Sequence, residues 1–139
     1  MFVQSKVEEN DLHNTILLMW NMSCKGLHSQ KYIKCFSNGT CVFHHPKYAN
    51  IKCALGWCDP GEVLINSCLL LNGHCNIPWV QKSLKNVSTE SHNRLRKFEL
   101  ELQKAHDYAS SPFDMEERLT AIAVDWNLPY PPPLDVPIE

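Results

Sequence analysis

The chain has no Cys-x-x-Cys pair, no glycine-rich phosphate loop and no dinucleotide fingerprint. The close ligand pairs of most structural zinc sites and the cradles of nucleotide enzymes are therefore missing. No apolar run approaches the roughly 20 residues that span a membrane. There is no basic excess either: 13 Lys and Arg face 15 Asp and Glu, for a net charge of −2. That balance argues against a nucleic-acid binder relying on a broad basic surface. Lys31, Lys34, Lys47 and Lys52 read as a solvated face. The first ten residues are polar and acidic, without a signal-peptide pattern, so a cytoplasmic chain with no membrane partner is expected. Asn21, Asn38 and Asn86 match the glycosylation pattern, which only a secreted chain would use. No internal repeat is visible.

What is present suits a globular fold. Of 139 residues, 44% are hydrophobic and 20% charged, enough for one domain with a real core. The pattern predicts a domain over residues 1–128 and an extended proline-rich tail over 129–139. The organising stretch runs from Ser37 to Asn72. Asn38-Gly39 suits a two-residue type I′ hairpin turn, which needs positive φ at both central residues. Tyr32, Ile33 and Phe36 flank it on one side and Thr40, Val42 and Phe43 on the other, all with strand chemistry. Pro46 to Asn50 breaks the second strand. Ile51 to Trp57 reads as a buried third strand, with Gly56 at a bend or a close approach. Asp59-Pro60-Gly61-Glu62 reads as a capped helix start leading into Val63 to Leu71, with Gly73 as its stop.

Helical spacing recurs elsewhere. Leu12, Ile16, Met19, Trp20 and Leu27 share a face over residues 10–27, with Asn10 or Asp11 as cap. Ile77, Val80, Leu84 and Val87 suggest a short helix from Pro78. Leu95, Phe98, Leu102, Ala105 and Ala109 stripe a charged helix over 91–109. Asp114, with Glu117 three residues on, reads as the cap of a last helix. That helix has Met115, Leu119, Ile122, Ala123 and Trp126 on one face. The fold class that follows is α+β: about four helices packed on a small antiparallel three-stranded sheet.

Seven cysteines offer the only dense chemistry. They are Cys24, Cys35, Cys41, Cys53, Cys58, Cys68 and Cys75. In a reducing compartment, buried thiols acting as small apolar residues are the plain reading. A zinc-stabilised module is the second, with Cys41, His44, Cys53 and Cys58 as ligands and His45 or His106 as substitutes. The hairpin brings Cys35 and Cys41 near each other, but alternation places Cys41 and His44 on opposite faces unless a bulge intervenes. The third reading is a cysteine-dependent enzyme, with Cys53 as nucleophile, His106 as base and Asp107 as orienting acid. Successive helix residues point about 100° apart, which disfavours that dyad.

The leading expectation is a non-catalytic protein-binding protein. Its contacts would come from Leu64, Leu69 and Leu71 on an all-apolar helix, from Trp79, and from Tyr130 in the tail. The partner would be another protein, from a host, a virus or a phage, or a second copy of the chain. A small chain of this kind suggests a viral or phage accessory factor, or an inhibitor of a host system acting in the host cytoplasm. No cofactor other than zinc is implied.

Overall fold

Helix α1 forms the spine of the molecule and spans Phe2–Ser29. A computed structural model describes residues 2–62, 77–85 and 87–134. The expected helix Val63 to Leu71 therefore lies outside the described residues, as do Gly73, Cys68, Cys75 and the last five residues. Within α1, Leu12, Ile16, Met19, Trp20, Cys24 and Leu27 are buried at steps of three and four, so one face meets the core. The helix begins well before Asn10 and Asp11, which lie inside it instead of capping it. Polarity hides that start: residues 2–10 lack an apolar stripe, but they contain no glycine or proline to break a helix. At the other end Lys31 and Tyr32 turn left-handed. The Tyr32 N–H donates back to the Leu27 carbonyl at 2.8 Å, closing the helix.

The hairpin follows. Strands β1 (Phe36–Ser37) and β2 (Thr40–Cys41) pair antiparallel, with Phe36 opposite Cys41. Asn38 and Gly39 both hold positive φ, 53° and 82°, as a type I′ turn requires. The expected third strand is corrected. Among the described residues the sheet has two strands, and the next segment contributes only an isolated bridge, His44 to Lys52. Gly56–Cys58 then winds into a short 3-10 turn.

The reason lies in where the backbone bonds go. Gln30 takes the Lys52 N–H on Oε1 at 3.0 Å and gives Nε2–H to the Lys52 carbonyl at 2.8 Å. Gln103 Oε1 accepts the Leu55 N–H at 3.0 Å, and the Ser23 hydroxyl donates to the Ala54 carbonyl at 2.7 Å. Side chains in the helices and just past the end of α1 thus replace the ladder that a strand would need. Gly56 does mark a close approach, since a Cβ there would sit 2.2 Å from the Phe43 carbonyl oxygen.

Asp59 is a second correction. It ends the 3-10 turn, and Glu62, at φ 51°, donates its N–H to the Asp59 carbonyl. Residues 60–62 make a turn, so no helix starts at Asp59. Its carboxylate is taken instead by His44.

The remaining helices are α2 (Pro78–Ser83), α3 (Thr89–Asp107) and α4 (Pro112–Trp126). Pro78 opens α2, where a missing N–H costs nothing. Ser88 caps α3 by accepting the Ser91 N–H at 3.2 Å. The α4 cap is Ser111, which accepts the Asp114 N–H at 3.0 Å. Asp114 sits in the first turn and takes the Ser110 N–H at 2.8 Å. Those bonds, first that from Ser110 and then that from Arg118, hold its carboxyl below the usual range. Left-handed Asn127 ends α4 before Pro129 is reached.

Helix α1 packs against α2, α3 and the 3-10 turn, and α3 packs against α4. The described residues thus form an α+β arrangement of four α-helices and a small antiparallel sheet. None of these helices is long and apolar enough to cross a membrane.

The proline tail carries no regular secondary structure through Leu134 and lies on the fold. Trp20 Nε1 donates to the Pro129 carbonyl at 2.8 Å, and the Tyr32 hydroxyl donates to that of Pro132. Glu116 Oε1 accepts the Leu134 N–H at 3.1 Å. Trp20 and Tyr32 are among the largest fully buried side chains, so the tail completes the covering of α1.

Gly26 shows how tightly the spine is fitted. A Cβ there would lie 2.1 Å from Cδ2 of the Trp57 ring. That ring is also held by its own N–H to Gln30 at 2.8 Å. Gly26→Ala must push the ring away or bend α1, and should cost about 1–3 kcal/mol, as overpacked cores do. Urea unfolding reads this, and an unchanged midpoint would show that the ring does not sit against the helix.

Candidate functional site

The last turn of α3 delivers two polar side chains into the space behind the hairpin. His106 is fully buried and the Asp107 side chain is 4% exposed. Cys35 carries its backbone past the end of α3, and its N–H donates to His106 Nε2 at 2.9 Å. With Nε2 accepting, the ring proton sits on Nδ1, which donates to Asp107 Oδ1 at 2.8 Å. Both ring nitrogens are thereby committed. The 100° argument against this pair is overturned: it governs Cα–Cβ directions, whereas side-chain torsions at a helix end let the two termini converge.

Cys41 completes the cluster from β2. Its Sγ, one His106 nitrogen and one Asp107 oxygen all lie within 4.8 Å of one another. No N–H or O–H reaches buried Asp107 Oδ2, and the Cys41 thiol is hydrogen-bonded to the Asp107 carboxylate. Burial first, and then the Asp107 charge, pushes the Cys41 thiol up to about 11. Cys35 goes up to about 12, through burial and then through Cys53 and Cys41. Three thiols and a carboxylate therefore feel each other's charge in one region. A nucleophilic thiol needs a lowered pKa and a base with a free lone pair; here burial raises Cys35 and Cys41, and the imidazole is spoken for.

The other expected ligands lie in different surroundings. His44 Nε2 meets Asp59 Oδ2 at 2.9 Å, with Asp59 fully buried. The Cys58 thiol donates to the Met19 carbonyl at 3.3 Å and lies 3.2 Å from the Ser23 hydroxyl. Burial pushes it up to about 12, and the Ser23 contact offsets part of that. Cys53 is fully buried, and its sulfur accepts the Gly56 N–H at 3.4 Å. Among the described residues, Cys41 is the one member of the expected quartet within the cluster of close ligand atoms. All five described cysteines are free thiols.

Of the expected partner contacts, Leu64, Leu69 and Leu71 lie outside the described residues. Trp79 is half-buried and its Nε1 donates to the Cys58 carbonyl at 2.7 Å. Tyr130 is 70% exposed. Sequence reasoning missed Gln30 and Gln103, whose buried amides hold the 52–55 backbone. No spacing signal marks them, because any glutamine on a charged helix reads as surface. It also missed a cavity of about 680 Å³ between α1 and α3, lined by Leu12, His13, Ile16, Arg94, Lys97 and Trp126. There Arg94 covers the Trp126 ring at 4.8 Å, so its cation and its broadest aromatic face serve each other.

No protein family, curated protein or solved structure matches this chain.

The raised thiols make an alkaline prediction. Folded Cys41 holds its proton to about pH 11, and Cys35 and Cys58 hold theirs to about 12, against 9.0 for an ordinary thiol. The folded chain binds these protons more tightly, so their contribution is complete below pH 9 and is lost as pH rises through 11 to 12. Melts of metal-free protein between pH 7.5 and 11 should fall above pH 9. Cys58→Ala should flatten that fall. A profile identical in the variant would mean that the buried thiol does not hold its proton.

Proposed function

We propose that this chain is a non-catalytic module that binds another protein, as an accessory or inhibitory factor. The observation that carries this reading is an exposed apolar seam where the hairpin meets the end of α3. Ile33 and Phe36 are each half-exposed, and Tyr108 and Phe113 slightly more so. Between them the chain is pinned. Cys35 bonds His106, and Lys34 Nζ reaches the Ala109 carbonyl at 3.1 Å. Single exposed apolar residues are ordinary, but several bracketing one rigid contact suit an interface. Aromatic side chains are also the usual anchors of binding energy. Against a cysteine enzyme stands the doubly engaged imidazole of His106. The expected viral or phage setting enters this proposal from the small size of the chain alone.

The test pairs Ile33→Glu with Tyr108→Glu in the full chain. Exposed substitutions of this kind change stability by about 0.5 kcal/mol or less, so the fold should survive, as circular dichroism melts would show. Two charges placed in an apolar contact should weaken binding at least tenfold. Sedimentation of the wild type first reports whether the partner is a second copy. Photocrosslinking at position 36 in the producing cells then recovers any other partner. A stoichiometric partner, or a dimer, that the double variant loses supports the reading. A partner held equally well by the double variant, or no complex at all, rejects it.

A further inference from the structure

We infer that the partner segment which docks on the apolar seam is acidic, with Asp or Glu side chains set beside large apolar ones, and that Lys31, Lys34 and Lys52 receive its carboxylates. The inference rests on the binding proposal above and names the chemistry of the partner. Lysines that read from the sequence as a solvated face border the seam in the structure.

The charge pattern comes first. From Leu12 to Cys58 the chain carries five lysines and no Asp, Glu or Arg. All 15 Asp and Glu, and the other eight Lys and Arg, lie outside that stretch. A net charge of −2 therefore hides a basic segment within an acidic chain. One buried amide gathers part of that segment. Gln30 gives Nε2–H to the Ile33 carbonyl at 2.7 Å and to the Lys52 carbonyl at 2.8 Å. Its Oε1 accepts the Lys52 N–H at 3.0 Å and the Trp57 Nε1–H at 2.8 Å. Lys31, next to Gln30 in the chain, is thus brought together with Ile33 and Lys52. Lys52 Nζ lies 5.0 Å from the centre of the Trp57 ring. Lys34 follows Ile33 directly. Its Nζ reaches the Ala109 carbonyl at 3.1 Å and stands 5.9 Å from the centre of the Phe36 ring. Three lysines therefore flank the Ile33 and Phe36 end of the seam.

These charges have no internal carboxylate to answer them. Among the described residues, none of the three lysines is ion-paired. Asp107 and Asp114, which adjoin the seam residues Tyr108 and Phe113 in sequence, are already engaged. Asp107 holds His106, and Asp114 holds Ser110 and Arg118. Asp59, the acid that closes the basic stretch, is taken by His44. One exposed lysine is ordinary. Three unpaired lysines beside half-exposed apolar side chains complement a surface that is both acidic and apolar. A nucleic acid fits less well. A long polyanion laid across the molecule would leave the basic stretch and meet the acidic remainder, whereas a short peptide stays within the screening distance of about 10 Å. Ile33 also offers no flat face on which a base could stack.

The test titrates the full chain into a fluorescein-labelled peptide of six Glu interspersed with Leu and Phe. The same peptide with Gln for Glu, and a short oligothymidine, are the controls. Fluorescence anisotropy at 50 mM NaCl should show saturable one-to-one binding of the acidic peptide alone. Raising NaCl to 500 mM should weaken that binding at least tenfold, a measurement that needs no variant to fold. Lys31→Gln combined with Lys52→Gln should also weaken it at least tenfold while the circular dichroism melt stays in place. Lys82→Gln, on α2, should leave it unchanged. Preferential binding of the oligothymidine, equal binding of the Gln peptide, binding that salt or the lysine pair leaves intact, or no binding would each overturn the inference. None of those outcomes touches the binding proposal, which falls on its own test: no complex, or one that the Ile33→Glu, Tyr108→Glu variant keeps.

Discussion

The fold depends on how the irregular chain between α1 and residue 59 satisfies its backbone. That stretch contains two two-residue strands and one isolated bridge, yet Tyr32, Cys35, Phe43, Cys53, Ala54, Leu55 and Cys58 along it are buried. A buried N–H or C=O without a partner costs as much as a lost hydrogen bond or more. The partners come from side chains in or next to the helices: Gln30, just past α1, at Lys52, Ser23 at Ala54, Gln103 at Leu55 and His106 at Cys35. Each of those four is itself buried. Long loops usually avoid the interior for want of such partners; here α1 and α3 supply them, and the loop forms part of the core.

This arrangement commits a histidine to the backbone. His106 would be a candidate base on an exposed helix face. With its Nε2 holding a backbone N–H and its Nδ1 holding a carboxylate, it is a structural bracket. The thiols follow the same rule. Burial is the largest influence on Cys35, Cys41 and Cys58, and it raises all three, the reverse of what an attacking thiolate requires.

How much of this could be read from residues alone follows from the range of each signal. Local signals were legible. Asn38-Gly39 marked the hairpin turn through backbone sterics, Pro78 marked the start of α2, and the 95, 98, 102, 105 stripe of α3 is buried throughout, although the helix stops at Asp107, short of Ala109. Signals that depend on distant partners were not. Ile51 to Trp57 has strand composition, but its backbone found amides more than 20 residues away. Asp59 has cap chemistry, but His44 took its carboxylate. The candidate site was half visible. Cys41, His106 and Asp107 were all singled out for chemistry, but in two separate schemes. What joins them is the Cys35 backbone reaching His106 across 71 positions of sequence, which no spacing rule contains.

The buried cluster and the exposed seam are two sides of one segment. Cys35 points inward and is fully buried, whereas Ile33 and Phe36 around it are half-exposed. The bond that commits His106 is made to the backbone of that same segment, so whatever fixes His106 also fixes how those side chains are presented. A surface held rigid before binding loses less conformational freedom on association than one that must be ordered. Functional groups are most accurately placed when a supporting layer locks the elements that carry them. The sequence distance between hairpin and helix is thus turned into local stiffness by one imidazole.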